Sequence, residues 1–397
     1  MSTLHVIGVG DDGLTSLSPE ARAALETAEV VIGSKRLFAR LPDLKGEKVV
    51  WPSPLSGVAE VIRAHAGKRI AVIATGDPLW YSIGSLIAKS VAAADLRFHP
   101  QLSSFQLAAS RMHWALQEVA CETIHGRPVE RISPLLGDGQ HLLLLGKNAG
   151  SPKEVAAFLR DNGFGASDIS VLAHLGGGEE SRIDGSAENW DREVPAFHVV
   201  AVTCRASGAP QPCGRVPGLA NGQYEHDGQI TKREVRAVTL AMLRPMPGEL
   251  LWDIGCGAGS IAIEWVRGAP GARAVGIDRD GGRLALAREN AKRLGGFGID
   301  WIEGEAADIL SCEEDPHAVF FGGGLDQDLI EQAWARLRPH GRMVCNAVTQ
   351  ESELVLAACH EQFGGEMRRI AVQTLDAVGR RHAWRPLMPV TQWSCVK

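Results

Sequence analysis

Thirteen residues near the middle of the chain, Ala206-Ser-Gly-Ala-Pro-Gln-Pro-Cys-Gly-Arg-Val-Pro-Gly218, contain three prolines and three glycines and so suit neither helix nor strand. A chain of 397 residues interrupted there is expected to build two separate hydrophobic cores. We place one domain at residues 1–205, a linker at 206–218 and a second domain at 219–397. Hydrophobic residues make up 45% of the chain and charged residues 22%, enough apolar material for two cores.

Short apolar runs alternate with helical stretches on both sides of the linker. The N-terminal half predicts strands at Leu4–Val9, Val30–Ile32, Arg69–Ala74, Leu96–His99, His141–Leu145, Ile169–His174 and Phe197–Cys204. The C-terminal half predicts them at Glu249–Ile254, Arg273–Asp278, Asp300–Glu303, Ala318–Phe321, Arg342–Ala347, Arg369–Thr374 and Ala383–Val396. Both halves are therefore α/β. A helix is expected to start at Ser151, where Ser151-Pro152-Lys153-Glu154 has capping-box spacing.

Charge narrows the partners. The net charge is −6, and each half carries about the same acidic excess: Lys and Arg against Asp and Glu count 20 to 23 up to Pro210 and 21 to 24 beyond it. Neither half is the basic module that nucleic acid requires, so no nucleic-acid partner is expected. The longest apolar runs are strand-length, short of a membrane span. MSTLHVIGVG has no basic stretch before its apolar run, so a cytoplasmic protein is expected. Eight scattered cysteines show no metal-like spacing, and we expect neither metal nor disulfide.

The most informative motif is Leu250-Leu-Trp-Asp-Ile-Gly255-Cys256-Gly257-Ala258-Gly259-Ser260, a strand, a glycine turn and a helix start. Such a turn lets a ligand approach the helix N-terminus without a Cβ in the way. The next strand ends at Asp278, where a carboxylate can accept ribose hydroxyls. Gly304-Glu305-Ala306 follows the third strand, in position to meet an adenine, and the turn lacks the GxGxxG spacing more usual in a nicotinamide enzyme. Upstream, Asp227-Gly-Gln-Ile-Thr231-Lys232-Arg233-Glu234-Val-Arg236 precedes a helix. Thr231 and Glu234 have capping-box spacing, which is one reading of both. In the other, Thr231 covers a bound ligand while Lys232, Arg233 or Arg236 faces an anionic substrate.

These C-terminal motifs resemble the decarboxylating precorrin methyltransferases of the CbiT type. The resemblance implies a Rossmann-like class I methyltransferase fold with a seven-stranded sheet whose last strand is antiparallel. It also implies S-adenosyl-L-methionine contacts at Thr231, Gly255, Cys256, Gly257, Ala258, Gly259, Asp278 and Ala306, with Gly322-Gly-Gly324 beside the methyl donor.

The N-terminal half opens with Val6-Ile-Gly8-Val-Gly10-Asp11-Asp12-Gly13. It continues with Ala74-Thr-Gly76-Asp77-Pro78, Pro100-Gln-Leu-Ser103-Ser104 and Thr123-Ile-His125-Gly126-Arg127-Pro128. This series resembles the class III tetrapyrrole methylases of the CbiE branch. It implies two αβα lobes with the donor in the cleft between them, contacted by Gly76, Asp77, Pro78, Ser103 and Ser104. The chain departs from that pattern at three places. Gly-Pro-Gly is Gly10-Asp11-Asp12, Pro-Gly-Ile-Ser-Ser is Pro100-Gln101-Leu102-Ser103-Ser104, and Leu-Thr is Leu145-Gly146. His125 and Asp77 invite catalytic roles, against a solvated loop histidine and an Asp-Pro turn. The catalytic residues are not identified from the sequence.

A CbiE-like half fused to a CbiT-like half resembles the bifunctional, decarboxylating precorrin-6Y methyltransferases, the CobL type of the cobalamin pathway. The resemblance implies one S-adenosyl-L-methionine site per domain and a tetrapyrrole substrate. It further implies methylation of precorrin-6B at meso carbons 5 and 15, with decarboxylation of the carbon 12 acetate, giving precorrin-8. A homo-oligomer is expected. Such a substrate carries many carboxylates, and Arg outnumbers Lys 31 to 10. Arg380, Arg381 and Arg385 are candidate clamps for them, or else a solvated basic edge. The alternative activity on these folds is that of an RNA methyltransferase.

Overall fold

The protein is described by a computed structural model covering residues 3–208, 210 and 213–397. Ala209, Gln211 and Pro212 of the expected linker lie outside the described residues. The chain forms two compact units, Met1–Val129 with Gly137–Gln211, and Glu130–Leu136 with Pro212–Lys397.

The first unit holds two five-stranded sheets. Strands β1 (Leu4–Val9), β2 (Val30–Gly33), β3 (Glu47–Val50), β4 (Ile70–Thr75) and β5 (Leu96–His99) pair in the order β3-β2-β4-β1-β5, all parallel. Helices α1 (Pro19–Glu26), α2 (Lys35–Arg40), α3 (Val58–Ala64) and α4 (Gly84–Ser90) intervene. The central strands are apolar on both faces, as buried parallel strands must be, and Val6, Ile7, Val72 and Ile73 are all fully buried. Helix α5 (Ser104–Met112) leads to the second sheet. Its strands are β6 (Val119–Thr123), β7 (His141–Leu145), β8 (Asp168–Ala173), β9 (Ser181–Ser186) and β10 (His198–Thr203), with α6 (Ser151–Asp161) after β7. The order is β6-β7-β10-β8-β9, antiparallel except for β6 on β7.

The second unit contains α7 (Arg233–Leu243), β11 (Leu250–Ile254), α8 (Ser260–Gly268), β12 (Arg273–Asp278), α9 (Gly281–Leu294) and β13 (Ile299–Glu303). There follow β14 (Ala318–Phe321), α10 (Gln327–Arg336), β15 (Arg342–Ala347), α11 (Gln350–Phe363), β16 (Glu366–Ile370), β17 (Gln373–Val378), β18 (Arg381–Pro386) and β19 (Val390–Val396). Seven strands form one sheet in the order β13-β12-β11-β14-β15-β19-β16, and the last strand, β19, runs antiparallel between β15 and β16. The strand order reverses at β11, the position in open α/β sheets where the loops leave a ligand crevice. All five residues of β11 are buried, with Trp252 and Leu251 in cores on opposite faces of the sheet.

The differences from the sequence reading have local causes. In the first unit three strands went unpredicted, β3, β6 and β9, and all three are sheet edges. An edge strand is only partly covered, so its sequence lacks a continuous apolar run. The expected strand at Arg369–Thr374 lies earlier, at Glu366–Ile370. The expected run Ala383–Val396 is two strands, interrupted between Pro386 and Pro389, and β17 with β18 forms a separate two-stranded hairpin.

Two helix caps also differ, although α6 does start at Ser151 as expected. Gly150, not Ser151, precedes α6, and the Ser151 hydroxyl accepts the backbone amides of Lys147 and Asn148. Lys232, not Thr231, precedes α7, and the Arg233 amide donates to Asn221 Oδ1 at 3.0 Å in place of a capping box.

Among the described residues no helix is long and apolar enough to cross a membrane.

Candidate functional site

In the second unit the crevice is built by the loops after β11, β12, β13 and β14. Gly255 has φ +70°, and a Cβ there would stand 3.1 Å from the Gly323 amide nitrogen. Gly259 has φ +78°, and its Cβ would sit 2.6 Å from the Trp301 ring. Both positions demand glycine twice over, for backbone angle and for space. The turn is pinned by its own amides: Gly255 and Cys256 N–H donate to the Ile277 carbonyl at 2.9 and 3.0 Å. Asp278, 7% exposed, accepts the Gly257 amide at Oδ2 (2.8 Å) and the Asp280 amide at Oδ1 (3.0 Å). Each carboxylate oxygen keeps lone-pair capacity, the arrangement that two vicinal hydroxyls require. Ala306 opens a short helix, Ala306–Ser311, and a Cβ on Gly324 would come 3.9 Å from its methyl, so the third and fourth loops adjoin. The structure thus gathers Gly255, Cys256, Gly257, Ala258, Gly259, Asp278 and Ala306. This glycine floor with a carboxylate at its edge fits an adenosyl ligand.

Asn290, on α9, ties the segment before α7 to this floor. Its Nδ2 donates to the carbonyls of Glu225 (2.8 Å) and Ala258 (3.1 Å), while Oδ1 accepts the Glu225 amide at 2.8 Å. Asp227 adds an ion pair to Arg283 at 2.9 Å. Sequence reasoning missed Asn290; its only signal was an amide among the apolar positions of a helix. It also missed Asp253, buried under the turn, where Oδ2 accepts the Ala262 amide at 3.0 Å and Oδ1 has no partner among the described residues. Burial pushes its carboxyl up to about 7; the Ala262 N–H opposes this and the Asp278 charge adds to it. Burial likewise holds the Cys256 thiol far above the usual range, so it is inert packing.

Arg236 corrects an expectation. Its side chain is fully buried and cannot face a substrate. Its Nε donates to Glu264 at 2.5 Å, Nη1 to the Thr231 carbonyl at 2.6 Å and Nη2 to the Leu219 carbonyl, with the guanidinium 4.8 Å from the Tyr224 ring centroid. Glu264 also accepts from the Tyr224 hydroxyl and from the amides of Gly218 and Leu219. Arg236 therefore fixes the backbone of Thr231. Lys232 is half-buried and Arg233 exposed. Arg380, Arg381 and Arg385 belong to the exposed β17–β18 hairpin, where Arg385 meets Asp376 at 3.4 Å.

The first unit holds a cleft of about 1160 Å³, lined among others by Gly76, Asp77, Ser103, Ser104 and His125. Asp77 Oδ1 accepts the Leu79 amide at 2.7 Å and so shapes the turn. Pro78 is a second correction. It does not line the cleft but lies buried, its carbonyl accepting the Gly84 amide at 2.9 Å. Ser103 caps α5, exchanging hydrogen bonds with Gln106. His125 is exposed.

The three departures from the family pattern all have structural consequences. Gln101 Nε2 reaches back to Ser16, donating to its hydroxyl at 2.7 Å. A Cβ on Gly146 would strike the His198 ring, which occupies that space. His198 Nδ1 donates to the Pro195 carbonyl at 2.6 Å, and burial depresses its pKa while that bond raises it. Asp11 becomes the hub of a charged cluster with Arg36, Arg40 and His174.

Two family models match the chain: one described as a tetrapyrrole (corrin/porphyrin) methylase over residues 3–190, the other as a precorrin methyltransferase domain over residues 222–397. A protein of a Sinorhizobium species named precorrin-6Y C(5,15)-methyltransferase [decarboxylating] is 40% identical over 99% of this chain and 96% of its own length. The Mycobacterium tuberculosis protein of the same name is 36% identical over 99% of each. A shorter relative, the Salmonella typhimurium cobalt-precorrin-6B C(15)-methyltransferase (decarboxylating), is 34% identical over 42% of this chain and 89% of its own.

Proposed function

Because the chain belongs to the decarboxylating precorrin-6Y C(5,15)-methyltransferases, we propose that it methylates precorrin-6B at carbons 5 and 15 and removes carbon dioxide from the carbon 12 acetate, giving precorrin-8 in cobalamin synthesis. The observation that carries this reading is the 40% identity to such an enzyme along almost the whole chain. Methyltransferases of this kind use S-adenosylmethionine, and we assign one donor site to each unit. In the second unit the contacts are Gly255 to Gly259, Asp278, Ala306 and the Thr231 segment; in the first they are Gly76, Asp77, Ser103 and Ser104. The C-terminal half carries carbon 15 and the decarboxylation, a division supported by the shorter relative named for those two steps alone. The N-terminal half carries carbon 5. The protein works as a cytoplasmic homo-oligomer on this small-molecule substrate, without nucleic acid.

When bound, S-adenosylmethionine supplies a methyl group on a sulfonium that needs no further activation. The chain's task is therefore alignment of the meso carbon with that methyl at roughly 3–3.5 Å. Asp278 holds the ribose end with charge-assisted hydrogen bonds. The glycine turn brings backbone amides up to the ligand without a side chain between. In the first unit, exposed Leu79, Trp80 and Leu102 line the cleft beside Arg36 and Arg127, an apolar wall with cations that suits a flat macrocycle bearing carboxylates.

The test is incubation of the purified chain with donor and precorrin-6B, followed by mass spectrometry. Gain of two methyl groups with loss of one carbon dioxide is expected. An unchanged macrocycle, or transfer to RNA instead, overturns the reading.

A further inference from the structure

The cleft of the first unit contains a side-chain cluster to which alignment of donor and macrocycle gives no task. Asp11, its side chain only 4% exposed, lies 2.9 Å from Arg40 Nη1, 3.3 Å from Arg36 Nη1 and 3.2 Å from His174 Nδ1. Asp11, Arg36 and His174 line the cleft together with Gly76 and Asp77. His174 has φ +51°, a left-handed backbone that non-glycine residues seldom adopt. Of the five non-glycine residues with positive φ among the described residues, His174 and Tyr81 line this cleft. Gly177 leaves room for the pairing, since a Cβ there would stand 2.9 Å from Asp11 Oδ2.

We propose that His174 is the proton acceptor for the methyl transfer performed in this cleft, with Asp11 as its positioning residue. The proposal rests on the assignment of one methylation to the first unit.

Arg40 Nη2 and the Asp11 carboxylate both reach His174 Nδ1, at 3.3 and 3.2 Å, while Arg40 Nη1 contacts the same carboxylate at 2.9 Å. The assignment requires the tautomer in which Nδ1 carries the ring proton and donates it to Asp11. Nε2 is left with its lone pair and has no hydrogen bond among the described residues. Glu179 reaches to 3.9 Å of Nδ1 and Phe197 packs on the ring. Of the other groups of the cleft that could take a proton, Lys147 pairs with Glu154 at 2.6 Å and the His198 Nε2 is buried against Gly146. Asp77, which takes the Leu79 amide, and the exposed His125 line the cleft as well, but His125 has no carboxylate beside its ring among the described residues, as His174 has in Asp11.

The chemistry needs one acceptor. As the meso carbon uses a π pair to form its bond to the methyl carbon, the methyl–sulfur bond breaks and its electrons stay on sulfur as a neutral thioether. The macrocycle is left cationic with one ring-nitrogen proton in excess. His174 Nε2 takes that proton, Asp11 stabilises the imidazolium, and the proton passes to solvent. A general base of this kind contributes about 10²–10⁴-fold to rate.

The test substitutes His174→Gly in the full chain, because glycine accepts the left-handed backbone without strain and leaves a hole the size of imidazole. With methyl-¹³C donor and precorrin-6B, the wild type is expected to show two new methyl signals. The variant is expected to lose one of them by about 10²–10⁴-fold in rate, to keep the other with its carbon dioxide, to bind donor with unchanged affinity by calorimetry, and to regain the lost signal with added imidazole. The ¹⁵N histidine resonance missing from the variant should report an Nδ1-protonated ring in the wild type. Full rate in the variant, parallel loss of donor affinity, no rescue by imidazole, or an Nε2-protonated ring each overturns the assignment. Absence of both methyl signals from the wild type overturns the proposed function itself, and this inference with it.

Discussion

Removing the Glu264 carboxylate should unfold the second unit well before it touches chemistry. Glu264 and Arg236 have side chains 2% and 0% exposed, so neither ion has water to fall back on. In Glu264→Leu the buried guanidinium loses its counter-ion, and breaking a buried pair from one side costs about 3–5 kcal/mol. The Tyr224 hydroxyl and the amides of Gly218 and Leu219 lose their acceptor as well, at about 1–3 kcal/mol for each donor left unsatisfied. These costs overlap, and a total near 5 kcal/mol is expected, roughly 10–20 °C in the melting temperature of this unit. Arg236→Met should cost less, because Glu264 retains three donors. The double variant should not recover the wild-type value, since those donors then still lack an acceptor. Urea and thermal unfolding followed by near-ultraviolet circular dichroism measure the ranking, and precorrin KM is measured in parallel at low temperature. An Arg236→Met protein as stable as wild type but with a KM raised about tenfold, some 1.4 kcal/mol of binding, would refute this reasoning and return Arg236 to the substrate.

Three further outcomes are expected. Asp278→Asn should weaken donor binding about 10- to 100-fold by calorimetry, the value of hydrogen bonds to a charged acceptor, with little change in melting temperature; an unaltered affinity would place the ribose elsewhere. Gly259→Ala should cost at least about 1–3 kcal/mol, because φ is +78° and the new methyl would meet Trp301 and Ala287; a normal melting curve counts against the described turn. Asp253 titrates near 7 in the fold and at 3.8 as a free carboxyl, so the folded state binds its proton more tightly. That contribution is fully present below pH 4, is lost as pH rises through 7, and amounts to roughly 4 kcal/mol over the window. Asp253→Asn should flatten this slope in urea titrations between pH 4 and 7, and an equally steep slope in the variant would show that another group is responsible.

Much of the architecture was legible because buried parallel strands announce themselves. β1, β4, β11 and β14 are apolar on both faces and were placed within a residue or so. The glycine turn and Asp278 were equally readable, since backbone angle, close approach and a strand-end carboxylate each restrict the residue type at a fixed spacing. Edge strands β3, β6 and β9 were not, because half-covered segments follow no single hydrophobic period.

What the amino-acid order determined by itself is what local physics fixes: periodicity, turn chemistry and residues that only one backbone conformation tolerates. What the tertiary structure alone decided is which polar side chains meet. Arg236 looked like a surface cation beside Lys232 and Arg233, yet burial pairs it with Glu264. Pro78 looked like a ligand contact and lies buried. Asn290 bridges segments separated in sequence by 65 and 32 positions. Asp11 acquires its meaning only from His174, 163 residues away. A side chain's charge is written in the sequence, but its free energy depends on the dielectric and the partners around it, and those exist only once the chain has folded.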